Sequence, residues 1–491
     1  MPLDSLTGRT LPLVRDRSEQ PPTGNGQLVT AAGHWTTVGE QHPHNGSFRN
    51  DRARRRSKVS QDTPTLLLTP RRNGLIAGRA NQADVLVRVQ APQPAAASPT
   101  RNRLNLALVI DRSGSMQGRP LEEAKRAVLH VIEGLAPDDR VAVVVYDNDV
   151  QVIVPATLVE DRERIPAGVR AIRSGGSTNL HGGWLAGAEE VSRHAAAHTL
   201  SRVILLSDGM ANHGLIDLDA IVGECASYAA RGITTSTYGL GERFNEDLMT
   251  AMARAAHGQA EYGETAEDLH EPLQTELALL NATCAKSVTV RIRPHRGVEV
   301  KLRNDYPETS PGAWRLPNLA YGSEAWALLK VAVFPTAPAN IDLADVSLSW
   351  EDLDGMPYEL SIPPLILRTM SESEWNLLRE DQLVARRLGE LEAAEIQEEA
   401  RQAVHRGDWT AVDRLLGKAR ELGKTNPWIA AVVESLGDMA SERKQAAFLK
   451  EAMYAARHMK HRLASVRESL DGDLATDPSF LRRRKRHGKG S

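Results

Sequence analysis

Along residues 102–284, short and nearly unbroken apolar runs alternate with longer segments whose apolar positions recur every three or four residues. The runs at 104–110, 140–146, 150–154, 202–207, 232–238 and 259–262 have strand length. An unbroken apolar run is what a strand covered on both faces requires. The segments at 120–134, 161–172, 181–197, 216–230, 245–256 and 265–280 predict helices. Such alternation predicts an α/β unit with a mostly parallel six-stranded sheet and helices on both faces. Tyr146-Asp-Asn-Asp149 leaves room only for a tight reversal, so 150–154 is expected to run antiparallel at the sheet edge.

The pattern changes on both flanks. Thr65–Leu68 and Ala83–Gln90 read as strands, the second alternating apolar and polar positions. Beyond residue 286, strands are expected at 287–293, 326–334, 346–350 and 358–362, with Asp354-Gly355 as a hairpin signal. Several short strands separated by turn residues suggest a β-sandwich. The two strands at 65–90 are too few to be stable alone, so they are expected to join this later sheet. The central domain would then be inserted into a β-sandwich-like region built from both flanks.

Residues 371–468 are patterned as helices. Ser371 and Glu374 have capping-box spacing, and Leu377, Val384, Leu388 and Leu391 form an apolar stripe. Arg406-Gly-Asp408 breaks the pattern, a second amphipathic helix follows from Trp409 to Leu422, and Asn426-Pro427 opens a third. A small C-terminal helical bundle, serving as a docking surface, is the expectation. The full organisation is 1–62 disordered, 63–100 strands and linker, 102–284 central domain, 286–368 sandwich, 371–468 helical domain and 470–491 basic tail.

Composition narrows the picture. The chain has 491 residues, 41% hydrophobic and 25% charged, with a formal net charge of −3. That charge gives no global pull toward nucleic acid or anionic membrane. Only Cys225 and Cys284 occur, with no Cys-x-x-Cys pair, which excludes a cysteine-built zinc site and argues against a disulfide framework. The first thirty residues carry no signal-peptide core and no stretch approaches membrane-spanning length, so the expectation is a cytoplasmic protein.

The chemistry concentrates at three points. The run Leu104–Ile110 ends in Asp111-Arg-Ser-Gly-Ser-Met116, one carboxylate and two hydroxyls at spacing two. Hard oxygen ligands at the carboxyl end of a parallel strand suit a small divalent cation. Ser174-Gly-Gly-Ser-Thr-Asn-Leu180 is a glycine-rich loop carrying Thr178, and the run Val203–Leu206 ends in Ser207-Asp208-Gly209. In these motifs the chain resembles the von Willebrand factor A family of bacterial type. The resemblance implies a Rossmann-like fold and a metal-ion-dependent adhesion site. Ser113, Ser115 and Thr178 would then supply oxygens to Mg²⁺ or Mn²⁺, with Asp111 and Asp208 acting directly or through water. It also implies a scaffold whose metal takes an Asp or Glu of a protein partner. Family members of this kind serve many assemblies, some with an ATPase.

Other readings carry less. A metal-dependent hydrolase has neither Gly-x-x-x-x-Gly-Lys-Ser/Thr nor Gly-x-Ser-x-Gly behind it. Nucleic-acid binding through the basic runs at 52–58 and 482–489 lacks interleaved aromatics. Gly239-Leu-Gly241 is an incomplete dinucleotide fingerprint, because Phe244 stands where Gly or Ala is needed. His194 and His198 are four apart and expected on one helix face, with only alanines between them. His270-Glu271 begins like a zinc-protease motif, but Gln274 replaces its second His.

Overall fold

The computed structural model describes residues 63–94, 101–160, 164–208, 210–241, 244–263, 265–336, 339–461 and 463–465. The expectations for 1–62, 95–100 and 470–491 lie outside those residues. The chain opens with β1 (Thr65–Pro70), β2 (Leu75–Ile76) and β3 (Asn81–Gln90). It then enters the central domain through β4 (Arg103–Asp111), α1 (Arg119–Glu133), β5 (Arg140–Tyr146), β6 (Val150–Leu158) and α2 (Arg164–Arg170). The domain continues with α3 (Leu180–Ser192), β7 (Thr199–Ser207), α4 (Leu218–Ala230) and β8 (Ile233–Leu240). It closes with α5 (Glu246–Ala255), β9 (His257–Gly263) and α6 (Ala266–Asn281).

The central sheet has the order β6-β5-β4-β7-β8-β9. All neighbours are parallel except β5 and β6, joined by the tight reversal at 147–149. Strand β4 sits in the middle and is buried on both faces. Leu104, Leu106, Leu108 and Ile110 pack into a core with Val128 and Val131 of α1 and Leu273 and Leu277 of α6. Ala107 and Val109 pack with Trp184 of α3 on the opposite side. These positions are small because α3 approaches closely: a Cβ on Gly187 would lie 2.5 Å from Val109 Cγ2. The last helix is tied to the sheet by a buried polar knot, in which Arg202 Nη1 and Ser236 Oγ each donate to Glu276 Oε1 at 2.5 Å.

Helix α3 is shorter than its alanine-rich sequence promises. It ends at Ser192, and His198 takes a left-handed φ of 56° as the chain turns into β7. His194 and His198 therefore lie beyond the helix and share no helical face. In Gly239-Leu-Gly241 the first glycine has a packing role, since a Cβ on Gly239 would meet the Phe244 ring at 2.3 Å, and the second takes a left-handed φ of 71°.

After α6 come β10 (Thr283–Pro294), β11 (Val298–Leu302), β12 (Glu308–Ser310), β13 (Ala313–Arg315) and β14 (Leu319–Ala320). They are followed by β15 (Ser323–Val333), β16 (Asn340–Glu351), β17 (Pro357–Ser361) and β18 (Leu365–Met370). One sheet has the order β1-β3-β15-β11, the other β12-β13-β10-β16-β18-β2. Strands β3 and β15 pair from Asn81↔Val333 to Gln90↔Glu324, so both flanks of the central domain build one sheet. Val85, Val87 and Val89 face Val288, Val290, Ile292 and Leu348 of the second sheet in a shared core. The outer face of β3 and β15 is covered too, with Leu86, Trp326 and Leu328 packed under Val384, Leu388 and Leu391.

The helical region consists of α7 (Glu372–Leu377), α8 (Gln382–His405), α9 (Trp409–Gly423), α10 (Pro427–Ser441) and α11 (Gln445–His461). Ser371 makes the capping box with Glu374. The apolar stripe does not run through α7, however. The helix stops at Leu377, which is 83% exposed, and Asp381 restarts a new one by accepting from Val384 N–H. Helix α11 runs to His461, and β19 (Ala464–Ser465) pairs with β15. Among the described residues no helix is long and apolar enough to cross a membrane.

Candidate metal centre

The carboxyl ends of β4 and β7 lie side by side, with Ile110 in register with Leu206. The next residues on each strand therefore meet: Ser207 Oγ donates to Asp111 Oδ2 at 2.7 Å. Past Asp111 the backbone turns back, so that Ser113 N–H donates to Asp111 Oδ1 at 2.8 Å. A single turn of 3₁₀ helix over Gly114–Met116 then brings Ser113 Oγ and Ser115 Oγ to 3.1 Å, with Met116 buried beneath. Ser115 Oγ donates to Asp208 Oδ1 at 2.9 Å. Four of the five sequence-derived positions, Asp111, Ser113, Ser115 and Asp208, thus form one connected oxygen cluster.

Thr178 reaches the same edge on a third segment, held by backbone hydrogen bonds. Gly175 N–H donates to Arg112 O at 2.6 Å, and Gly114 N–H donates to Gly176 O at 2.7 Å. Thr178 N–H donates to Asn212 Oδ1 at 2.8 Å, while Thr178 O accepts from the backbone N–H groups of Asn212 and His213. The loop is glycine-rich for a steric reason. A Cβ on Gly175 would sit 1.7 Å from Asp147 Oδ2, and one on Gly176 would sit 2.6 Å from Asn148 Oδ1. Asp147 lies 3.2 Å from Arg112 Nε, and Asn148 Oδ1 accepts from Ser177 N–H at 2.5 Å.

Sequence reasoning missed Asp147, Asn148, Ser207 and Asn212, which hold the three loops together. Their signal was indirect: paired glycines imply something large and fixed beneath them.

The electrostatics favour a cation. Asp111 is fully buried, and its hydrogen-bond partners are neutral donors. Burial raises its carboxyl above the ordinary range, while the hydrogen bonds from Ser113 and Ser207 pull the other way. Ser113, Thr178 and Asp208 are also buried, whereas Ser115 is exposed at the mouth. Two carboxylates and three hydroxyls are hard oxygen donors, the set that a small divalent cation takes. Among the described residues there is no cluster of three His, Cys, Asp or Glu side chains suited to a metal. A centre built partly from Ser and Thr lies outside that pattern. The residues present fit a hard divalent ion and do not fit zinc, which prefers nitrogen and sulfur.

A Rossmann-like sheet with an oxygen-rich cluster at adjacent carboxyl-terminal strand ends defines the class. The sequence model of the von Willebrand factor type A domain matches residues 105–275, and the chain carries a domain of that family. The protein sll0103 of Synechocystis is 28% identical over 284 residues, 55% of this chain and 67% of that one. YfbK of Escherichia coli is 28% identical over 192 residues, 38% of this chain but only 33% of its own length. This chain therefore spans about a third of that second relative. Among solved structures, the von Willebrand factor type A protein from Catenulispora acidiphila superposes with a TM-score of 0.63 at 18% identity. The match covers 83% of this chain and 99% of that one, which shows a common fold.

Proposed function

We propose that this protein is a divalent-cation-dependent protein-binding module, acting in the cytoplasm within a multi-protein assembly, one that includes an ATPase being a natural setting. The observation that carries the reading is the cluster of Asp111, Ser113, Ser115 and Asp208, a buried carboxylate among neutral donors opening to solvent at Ser115. With Thr178, these residues would hold Mg²⁺ or Mn²⁺. When bound, such an ion supplies positive charge and an exchangeable position that an Asp or Glu of a partner can take. Three of the five donors are neutral, and with the two carboxylates acting partly through water the ion would keep positive charge for an incoming carboxylate.

The rim supports protein docking. Met210 and Ile216, just beyond Asp208, are 59% and 60% exposed and would give apolar contact around an acidic anchor. Both carboxylates of the arrangement already hold donors, Asp111 from Ser113 N–H and Ser207 Oγ and Asp208 from Ser115 Oγ, and no His stands among these residues. We infer binding rather than catalysis.

Two measurements test this reading. Partners retained on the immobilised full chain in Mg²⁺ should be released by chelator and absent with Asp208→Ala. Retention that ignores both would overturn it. The pure chain should also turn over no ATP; robust hydrolysis abolished by Asp111→Ala would make it an enzyme.

A further inference from the structure

A second site-like feature lies at the opposite, amino-terminal edge of the central sheet, where the three parts of the chain meet. The end of α5 brings Arg254, the start of β9 brings His257, and the sandwich brings Tyr306 and Arg315. The last turns of α11 bring Arg457 and His461. Together they line a pocket of about 70 Å³. That is room for a few waters or one tetrahedral oxyanion.

Part of this positive charge is already matched. Asp305 lies 3.7 Å from both Arg254 Nη1 and Lys460 Nζ, and it pairs with His461. Burial alone would raise its carboxyl, but the His461 hydrogen bond and the neighbouring cations outweigh that and hold it well below the usual carboxylate range. Arg254 Nη2 also donates to Asp305 O at 2.5 Å. These groups form a structural clasp between α5, the sandwich and α11.

Arg315 and Arg457 are left with spare donors. Arg315 Nη2 donates to Ser287 Oγ at 3.0 Å, while its Nε is buried with no hydrogen-bond partner. Arg457 Nη2 donates to Gly258 O at 3.0 Å, a single neutral acceptor for a group with five N–H bonds. The acids nearest them act at range: Glu351 on Arg315, and Asp305 and Glu261 on Arg457. Burial depresses both guanidinium pKa values, as expected for desolvated charge with incomplete pairing. Guanidinium groups lining a small, cationic, solvent-connected pocket are completed by an anion with several acceptor oxygens.

We propose that this pocket binds a free phosphate-class oxyanion between the guanidinium groups of Arg315 and Arg457. The anion would bridge the sandwich and the helical bundle against the first residues of β9. Its position at the far edge of the sheet makes it independent of the metal centre.

The test is calorimetric titration of inorganic phosphate into the full chain at pH 7, with EDTA present so that no metal-bound phosphate contributes. Chloride at matched ionic strength is the control. Saturable binding is expected with phosphate and not with chloride, weakened about tenfold or more in Arg315→Gln and in Arg457→Gln. Asp208→Ala should bind phosphate as the parent does, whatever becomes of its metal affinity. If the free ion is the ligand, O-phosphoserine, which carries the same oxyanion on a bulkier body, should bind at least about tenfold more weakly than phosphate. Should circular dichroism show Arg457→Gln misfolded, the folded Arg315→Gln variant decides. Absence of saturable phosphate binding, or unchanged affinity in Arg315→Gln, would overturn the site. Phosphoserine binding as tightly as phosphate would overturn its assignment to the free ion.

Discussion

Ser115 Oγ donates to Asp208 Oδ1 at 2.9 Å across 93 residues of sequence. The contact exists because β4 and β7 are parallel neighbours, so the residues that follow each strand emerge at the same edge. Crossover connections in such sheets place loops together wherever adjacent strands end, and ligand sites follow there. The pairing also links a neutral hydroxyl to a carboxylate at the mouth of the cluster, next to the exposed apolar rim.

The glycine-rich loop should be the most sensitive part of that edge to small changes. Gly175→Ala adds one methyl that would sit 1.7 Å from Asp147 Oδ2. Asp147 cannot easily yield, because its Oδ1 accepts from Asp149 N–H and its Oδ2 pairs with Arg112. We expect a loss of about 1–3 kcal/mol in stability, as for overpacking elsewhere, together with weakened Mn²⁺ binding. Thermal melting and metal titration of the variant check both; an unchanged protein would mean that the loop adapts without displacing Thr178.

Glu324 tests the joining of the two flanks. It is fully buried on β15 and accepts from Arg88 Nη2 at 2.8 Å, Arg88 Nε at 3.1 Å and Gln90 Nε2 at 2.8 Å, all on β3. Glu324→Ala leaves a buried guanidinium unpaired, and such losses run to about 3–5 kcal/mol. Glu324→Gln keeps an acceptor and should cost clearly less. Denaturant unfolding of the two variants gives the comparison, and equal, small losses would show that Arg88 finds solvent.

His257 carries a pH dependence. Burial, then the charges of Arg315 and Arg202, lower its pKa to about 4. The native state therefore resists a proton that the unfolded chain accepts near pH 6.5. Its contribution to stability is fully present above that value and is lost as pH falls toward 4, by at most about 3 kcal/mol. His257 has a left-handed φ of 55°, which Asn tolerates. The His257→Asn variant should keep the fold and show a flatter decline between pH 6.5 and 4. Parallel declines in the two proteins would remove His257 as the cause.

Much of the central domain could be read before folding because its signals are local. A strand buried on both faces must be apolar throughout, and Leu104–Ile110 is. Asp111, Ser113 and Ser115 lie close in sequence because one turn of chain carries them. What was hidden depends on distant partners. Asp147 and Asn148 matter as the floor beneath Gly175 and Gly176, which no pattern around residue 147 reveals. Leu377 has the spacing of the stripe that Val384 and Leu388 follow, yet the backbone breaks before Asp381 and leaves it in solvent. The alanines at 195–197 favour helix, but the turn into β7 overrides them. The two-residue β19 has no pattern to read at all.

The central claim is that Asp111, Ser113, Ser115, Thr178 and Asp208 hold one divalent ion. It is tested most directly by calorimetric titration of Mn²⁺ into the full chain and into Asp111→Ala, with circular dichroism on both. One site is expected in the parent. Asp111→Ala should bind at least about tenfold more weakly with an unchanged spectrum, since Asp111 is the last residue of β4 and its side chain adds no apolar contact to the core. Equal affinity in the two folded proteins would contradict the account.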